Sequence, residues 1–203
     1  MSFRFITGVA VAMALVSTPA LACKGRNAVF TDDFAREEPS WTTIFGEFSV
    51  ASGRAQLKSN PGEIAVVAND GDFFESGDLC VDVIAPDYRG GGSEFGGVIF
   101  AIKDMGNFHA FWISPPDGMA GVTARKAGKW VNPVSGRKSD AIKQQSGAVN
   151  TLRLTWTGNT ATTYINDKQF VKFTVQPVPN AYFGLYAQTE GKVWQFDNYR
   201  ITD

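Results

Sequence analysis

From residue 29 onward the chain alternates apolar and polar positions in short runs, broken at close intervals by Gly, Asn, Asp and Pro. Runs rich in β-branched and aromatic residues predict strands at 45–50, 55–58, 63–68, 79–85, 97–102 and 108–114, then at 149–156, 160–165, 169–175, 183–187 and 193–201. Turn-forming clusters lie between them, including Ala51-Ser52-Gly53, Asn69-Asp70-Gly71, Thr157-Gly158-Asn159 and Asn166-Asp167. Short strands at this spacing predict an all-β fold, a two-sheet antiparallel sandwich, rather than an α/β protein. The one helical candidate is Asp140–Ser146, with Ser139 as its cap and Gly147 as its stop.

The alternation also predicts which faces are covered. In Leu152-Arg153-Leu154-Thr155-Trp156 the apolar residues fall on one face, the pattern of a sheet with one solvated side. Val98-Ile99-Phe100-Ala101-Ile102 and Phe108-His109-Ala110-Phe111-Trp112-Ile113 are apolar on both faces. Those two strands therefore belong in the middle of a sheet, with loops or a ligand covering their second side.

Residues 1–22 have a different pattern. Arg4 gives a positive start, Ile6 to Val16 form an uncharged, mostly apolar run, and Ala20-Leu21-Ala22 is a small-x-small ending. The run is too short to cross about 30 Å of hydrocarbon as a helix. It predicts a cleaved signal peptide, a domain over 23–203, and a periplasmic or secreted protein. Outside the cytoplasm, Cys23 and Cys80 can pair as a disulfide. Alternatively, Cys23 directly follows the cleavage point and could carry a lipid anchor, leaving Cys80 free.

Composition narrows the class further. The 203 residues carry 19 Lys+Arg against 20 Asp+Glu, with 13% aromatics, so disorder and general polyanion binding are both poor fits. Export and the near-neutral balance leave no case for a nucleic-acid partner. Nothing in the chain argues for an oligomer, and a monomer is the simplest expectation.

Three segments in order carry a family resemblance. Phe30-Thr31-Asp32-Asp33-Phe34 and Trp41 open the exported part; Thr163-Tyr164-Ile165-Asn166-Asp167-Lys168-Gln169-Phe170 forms an apolar-Asn-polar-Lys hairpin; Gly184-Leu185-Tyr186-Ala187 and Phe196-Asp197-Asn198-Tyr199-Arg200-Ile201 close the chain. Over residues 29–203 this set resembles the concanavalin A-like lectin/glucanase superfamily. Within it, the likeness is to laminin G-like jelly rolls and to bacterial 3-keto-disaccharide hydrolase-like domains. The resemblance implies a jelly roll of two curved sheets, first and last strands paired, and a glycan site on the concave face. It would also bring Asp32 or Asp33 near Asp197, either to cap local amides or to hold a structural calcium ion.

An enzyme of this superfamily would be expected to show a Glu-x-Asp-x-x-Glu strand. The nearest stretch, Asp78-Leu79-Cys80-Val81-Asp82, has no Glu. Four strand steps set Asp78 and Asp82 about 13 Å apart, beyond the roughly 5–9.5 Å that glycosidase pairs require. The two read as solvent-facing aspartates beside the cysteines. Asp70 and Asp72, with Glu75 nearby, have a closer spacing but sit in turn chemistry; Glu94 is a lone acid in a Gly-rich loop. Asp72 and Glu94 are the only catalytic candidates. His109 is the single His, which excludes a His-rich zinc site, and no Gly-x-Ser-x-Gly elbow or phosphate loop occurs.

The chain has one marked charge asymmetry. Between Arg125 and Lys143 lie six basic residues and one acid, Asp140, around Trp130 in Gly128-Lys129-Trp130. A solvated basic loop explains this; a Trp stacked on a sugar with cations meeting a carboxylate or sulfate explains it too. The sequence favours a non-catalytic module binding a carbohydrate or cell-envelope component, with Trp112, Trp130, His109, Tyr88 and Arg125 as site residues. A hydrolase or lyase acting on a sugar derivative and a structural, protein-contacting module are the alternatives.

Overall fold

A computed structural model describes residues 23–69, 76–87, 94–176, 178, 181–189 and 191–203. The expected leader, Asp70, Asp72, Glu75 and Tyr88 lie outside the described residues. In chain order the strands are β1 (Ala28–Asp32), β2 (Trp41–Phe45), β3 (Glu47–Val50), β4 (Ala55–Lys58), β5 (Ile64–Asn69), β6 (Ser76–Ile84), β7 (Phe95–Asp104) and β8 (Asn107–Ser114). They continue with β9 (Met119–Lys126), β10 (Lys129–Lys138), β11 (Val149–Thr157), β12 (Thr160–Ile165), β13 (Lys168–Thr174), β14 (Tyr182–Gln188) and β15 (Val193–Thr202).

The first sheet runs β13-β12-β11-β6-β15-β4-β3, with β1 also pairing β15; the second runs β10-β9-β8-β7-β14-β5-β2. Every strand pairing is antiparallel, so the expected sandwich is what forms. The first and last strands do lie side by side, through Phe30↔Ile201 and Asp32↔Tyr199. Inward residues of both sheets, among them Leu57, Val81, Phe111, Leu154, Trp194 and Phe196, are completely buried between them. Each such side chain contributes about 1.5–3 kcal/mol of burial.

Local chemistry accounts for the hairpins. Asn166 and Asp167 join β12 to β13 with φ of 48° and 65°, the two positive values that a type I′ turn requires and that Asn and Asp tolerate. Ala127 and Gly128 do the same between β9 and β10, with φ of 49° and 77°. That tip is tied down: Ala127 N–H donates to Asn107 Oδ1 at 3.0 Å, and Gly128 N–H to the Gly106 carbonyl at 2.9 Å.

Three expectations change. The basic stretch is no solvated loop but the paired hairpin β9–β10 at the edge of the second sheet. The helix predicted at 140–146 does not form. Its backbone is taken up by amide side chains instead: Asn150 accepts from Lys143 N–H and donates to the Lys143 carbonyl, while Asn166 Nδ2 donates to the Ala141 carbonyl. Asp78 is not solvent-facing. It is buried and gripped by Arg153, with Nε 2.8 Å from Oδ1 and Nη2 2.8 Å from Oδ2.

Cys23 and Cys80 form the disulfide, closing 57 positions of chain with Cα atoms 5.5 Å apart. A sulfur so engaged cannot carry the thioether of a lipid anchor. Among the described residues, no helix is long and apolar enough to cross a membrane.

Candidate functional site

The outer face of the second sheet follows from alternation in its strands. On β8, Phe111 and Ile113 point into the sandwich, so Phe108, Ala110 and Trp112 point out. On β7 the same parity sends Ile99 outward between inward-facing Val98 and Phe100. With Val66, Ala68 and Tyr186 these side chains make a second apolar cluster on the outside of the sandwich. The double-sided burial expected for β7 and β8 is thereby accounted for.

A groove of about 380 Å³ opens on this face, within the usual range for small-ligand sites. Phe95, Trp112, Tyr186 and Ile64 supply its apolar lining, Trp130 the exposed end, and Thr123, Asn132 and Gln188 its polar groups. The register explains how they meet. Across the face, Val66, Tyr186, Gly97, Trp112 and Gly121 form one continuous row of partners. Gly121 seats the Trp112 indole: a Cβ there would lie 2.5 Å from Trp112 Cζ2, so only glycine leaves the ring room to lie across β9. Phe95 packs edge-on against the other part of Trp112, with centroids 4.6 Å apart.

The next rows carry the polar groups. The Thr123 hydroxyl is 3.2 Å from Asn132 Oδ1, and Tyr186 Oη is 3.4 Å from Gln188 Oε1. Burial pushes the Tyr186 phenol well above its usual range, so it stays a neutral donor. At the open end Arg125 pairs with Trp130 and with Phe108 on its other side. Its guanidinium carbon lies 5.3 Å from the Trp130 ring centre, while the Trp130 and Phe108 rings stand nearly perpendicular with centres 5.6 Å apart. Trp130 is 49% exposed, and a large apolar ring held so open on a braced hairpin is an available stacking surface.

The structure thus brings Trp112 and Trp130 together in the groove, with Arg125 against Trp130 at the edge of that lining. His109 is not with them. It alternates with Phe108 and so points into the sandwich, stacked on Phe100 with centroids 5.5 Å apart. Burial, with a smaller push from the Lys126 charge, lowers its pKa to about 4. Glu94 does not roof a cleft: its carboxylate is fully buried and meets the Lys192 ammonium at 2.7 Å. That contact holds the start of β7 to the segment entering β15 and hides the carboxylate from any substrate.

The expected calcium ligands have other work. Asp32 accepts from Phe34 N–H at 2.7 Å and from the Trp41 indole N–H at 2.6 Å; Asp33 accepts from Ala35 N–H. Asp197 accepts from Asn198 N–H, and its pKa is raised by burial and by the negative charges of Asp82 and Asp33. The three carboxylates do not converge on a common point. Sequence reasoning also missed Thr123, Asn132, Gln188 and Phe95. Their only signal was the parity they share with Trp112 and Tyr186 once the strands are in register.

The fold is that of the concanavalin A-like β-sandwich jelly rolls. Among similar solved structures is the carbohydrate binding module CBM66 from Bacillus subtilis, with a TM-score of 0.67 and 16% identity over 81% of this chain and 96% of that one. The GH43 BlXynB protein from Bacillus licheniformis has a TM-score of 0.66 and 11% identity, covering 85% of this chain but only 39% of that protein. The laminarinase catalytic domain from Thermotoga maritima has a TM-score of 0.64 and 10% identity, over 87% and 98%. No family model matches the sequence, and no curated protein matches it.

Proposed function

We propose that this protein is an exported, non-catalytic carbohydrate-binding module whose ligand lies in the groove of the second sheet. One observation carries the proposal: the groove is lined by Trp112 and Trp130 with Thr123, Asn132 and Gln188, and by no carboxylate among the described residues. Flat indoles suit the apolar C–H face of a pyranose or furanose ring, and side-chain amides and hydroxyls suit its hydroxyl groups. Glycoside hydrolysis, by contrast, calls for two carboxyl groups facing the scissile bond. The similarity to a solved carbohydrate binding module supports this at the level of the fold, as the disulfide and the leader-like pattern of residues 1–22 support export.

A glycan array probed with the chain from Cys23 onward tests this, followed by titration of the best ligand. Binding is expected, and Trp112→Ala should abolish it while the melting temperature shows that the variant still folds. Absence of binding to any glycan, or full affinity in Trp112→Ala, would overturn the proposal. Release of shortened products from the bound oligosaccharide would transfer the function to a hydrolase.

A further inference from the structure

We propose that the ligand of this groove is an anionic glycan, its carboxylate or sulfate received by Arg125 at the Trp130 end; this rests on the groove being a glycan site.

The structure sorts the basic run into two groups. Arg137 donates to the Phe170 carbonyl and lies over the Phe170 ring; Lys138 reaches the Asp117 carbonyl, and Lys143 the Val149 carbonyl. These three are fastened to the sandwich. At the hairpin tip, beside Trp130, the position is different. Arg125 donates only Nη1, to the Met105 carbonyl at 3.2 Å; its Nε is buried without an acceptor, and Nη2 is neither bonded nor buried. Lys126 and Lys129 are exposed, and neither they nor Arg125 has a salt-bridge partner among the described residues. Asp104, the acid at the adjoining β7–β8 turn, directs its carboxylate to Gly106 N–H and Asn107 Nδ2.

Three cations are therefore unpaired on one tip, and the tip is immobilised by its two bonds to the β7–β8 turn. A guanidinium stacked on an indole is already oriented, so it loses little freedom when it meets an anion. A sugar seated against the exposed part of Trp130 would bring a ring substituent within reach of the unbonded Nη2 of that guanidinium. A carboxylate or sulfate there would form charge-assisted hydrogen bonds to it, with Lys126 and Lys129 adding a longer-range attraction. A neutral glycan would leave all three charges unanswered.

The test compares neutral glycans with their uronate-bearing and sulfate-bearing counterparts on the array, then titrates the best acidic oligosaccharide by calorimetry. The acidic form should bind at least about tenfold tighter, and its affinity should fall as salt is raised. Preference between the uronate and sulfate arms identifies the source of the charge. Arg125→Gln should weaken the acidic ligand about tenfold, with Arg125→Lys recovering part of the loss. A Lys126→Gln, Lys129→Gln double variant, confined to exposed positions, should flatten the salt dependence without changing the melting temperature. Equal affinity for neutral and acidic counterparts would overturn this inference while leaving the groove a glycan site. So would Arg125→Gln binding with unchanged affinity and salt dependence. If no glycan of either kind binds, the groove proposal itself fails.

Discussion

His109 should make the stability of this protein depend on pH in a predictable window. The imidazole is 6% exposed, lies against Phe100, and has no hydrogen-bond partner for Nδ1. Burial is the main cause of its lowered pKa, from 6.5 to about 4. At neutral pH the ring is uncharged whether the chain is folded or not, and the group contributes no dependence. Below about 6.5 the unfolded chain takes up a proton that the native imidazole refuses. Stability therefore falls as pH drops from about 6.5 to about 4, and levels off once the native ring also charges. At about 1.4 kcal/mol per pH unit the full loss is about 3 kcal/mol. For a chain of this size, that is a shift in melting temperature on the order of 10 °C. The assay is urea denaturation of the wild type, His109→Phe and His109→Gln at intervals between pH 7.5 and 3.5. Carboxylates titrate in all three proteins, so the difference between their pH profiles isolates the imidazole. Parallel profiles for wild type and variants would refute the assignment, whatever the absolute stabilities.

Four further outcomes are expected. Gly121→Ala should fold but displace the Trp112 indole, weakening the glycan by tenfold or more; unchanged affinity and unchanged tryptophan fluorescence would contradict the seat described for that ring. Reducing Cys23–Cys80, or Cys80→Ser, should cost about 4 kcal/mol in urea unfolding, from the chain entropy of a 57-position loop. Asp78→Ala should cost about 1.5–3 kcal/mol, because it strips the half-buried Arg153 guanidinium of its bidentate partner; a loss below about 0.5 kcal/mol would show the pair to be solvated. Chelation with EDTA should leave the melting midpoint unchanged, since Asp32 spends its oxygens on N–H donors; a drop of several degrees would place a structural cation at this end of the sandwich.

Much of this architecture can be read directly along the chain. Val98–Ile102 and Phe108–Ile113 declared their central place by being apolar on both faces, and the Asn166-Asp167 hairpin announced its own turn. Strand β9 could not be read so easily: Met119-Ala-Gly-Val-Thr-Ala-Arg-Lys is small and ends in charge, because Gly121 exists to make room for a ring from the neighbouring strand. Pro133 and Gly136 disguised β10 in the same way; an edge strand with irregular register tolerates both. The face of His109 was legible in its parity with Phe111 and Ile113, whereas composition alone grouped it with Trp112. The partner of Glu94 was not legible at all, since Lys192 lies almost a hundred positions away and no local pattern links them.

Because the groove is written on strands rather than loops, ligand choice and folding draw on interleaved letters of the same words. Along β9, odd and even positions answer to different masters: Val122 and Ala124 to the interior, Thr123 and Arg125 to whatever arrives from solution. A lineage carrying this scaffold can therefore revise its taste for one sugar over another by exchanging every second residue, with the alternate set left to keep the sandwich standing.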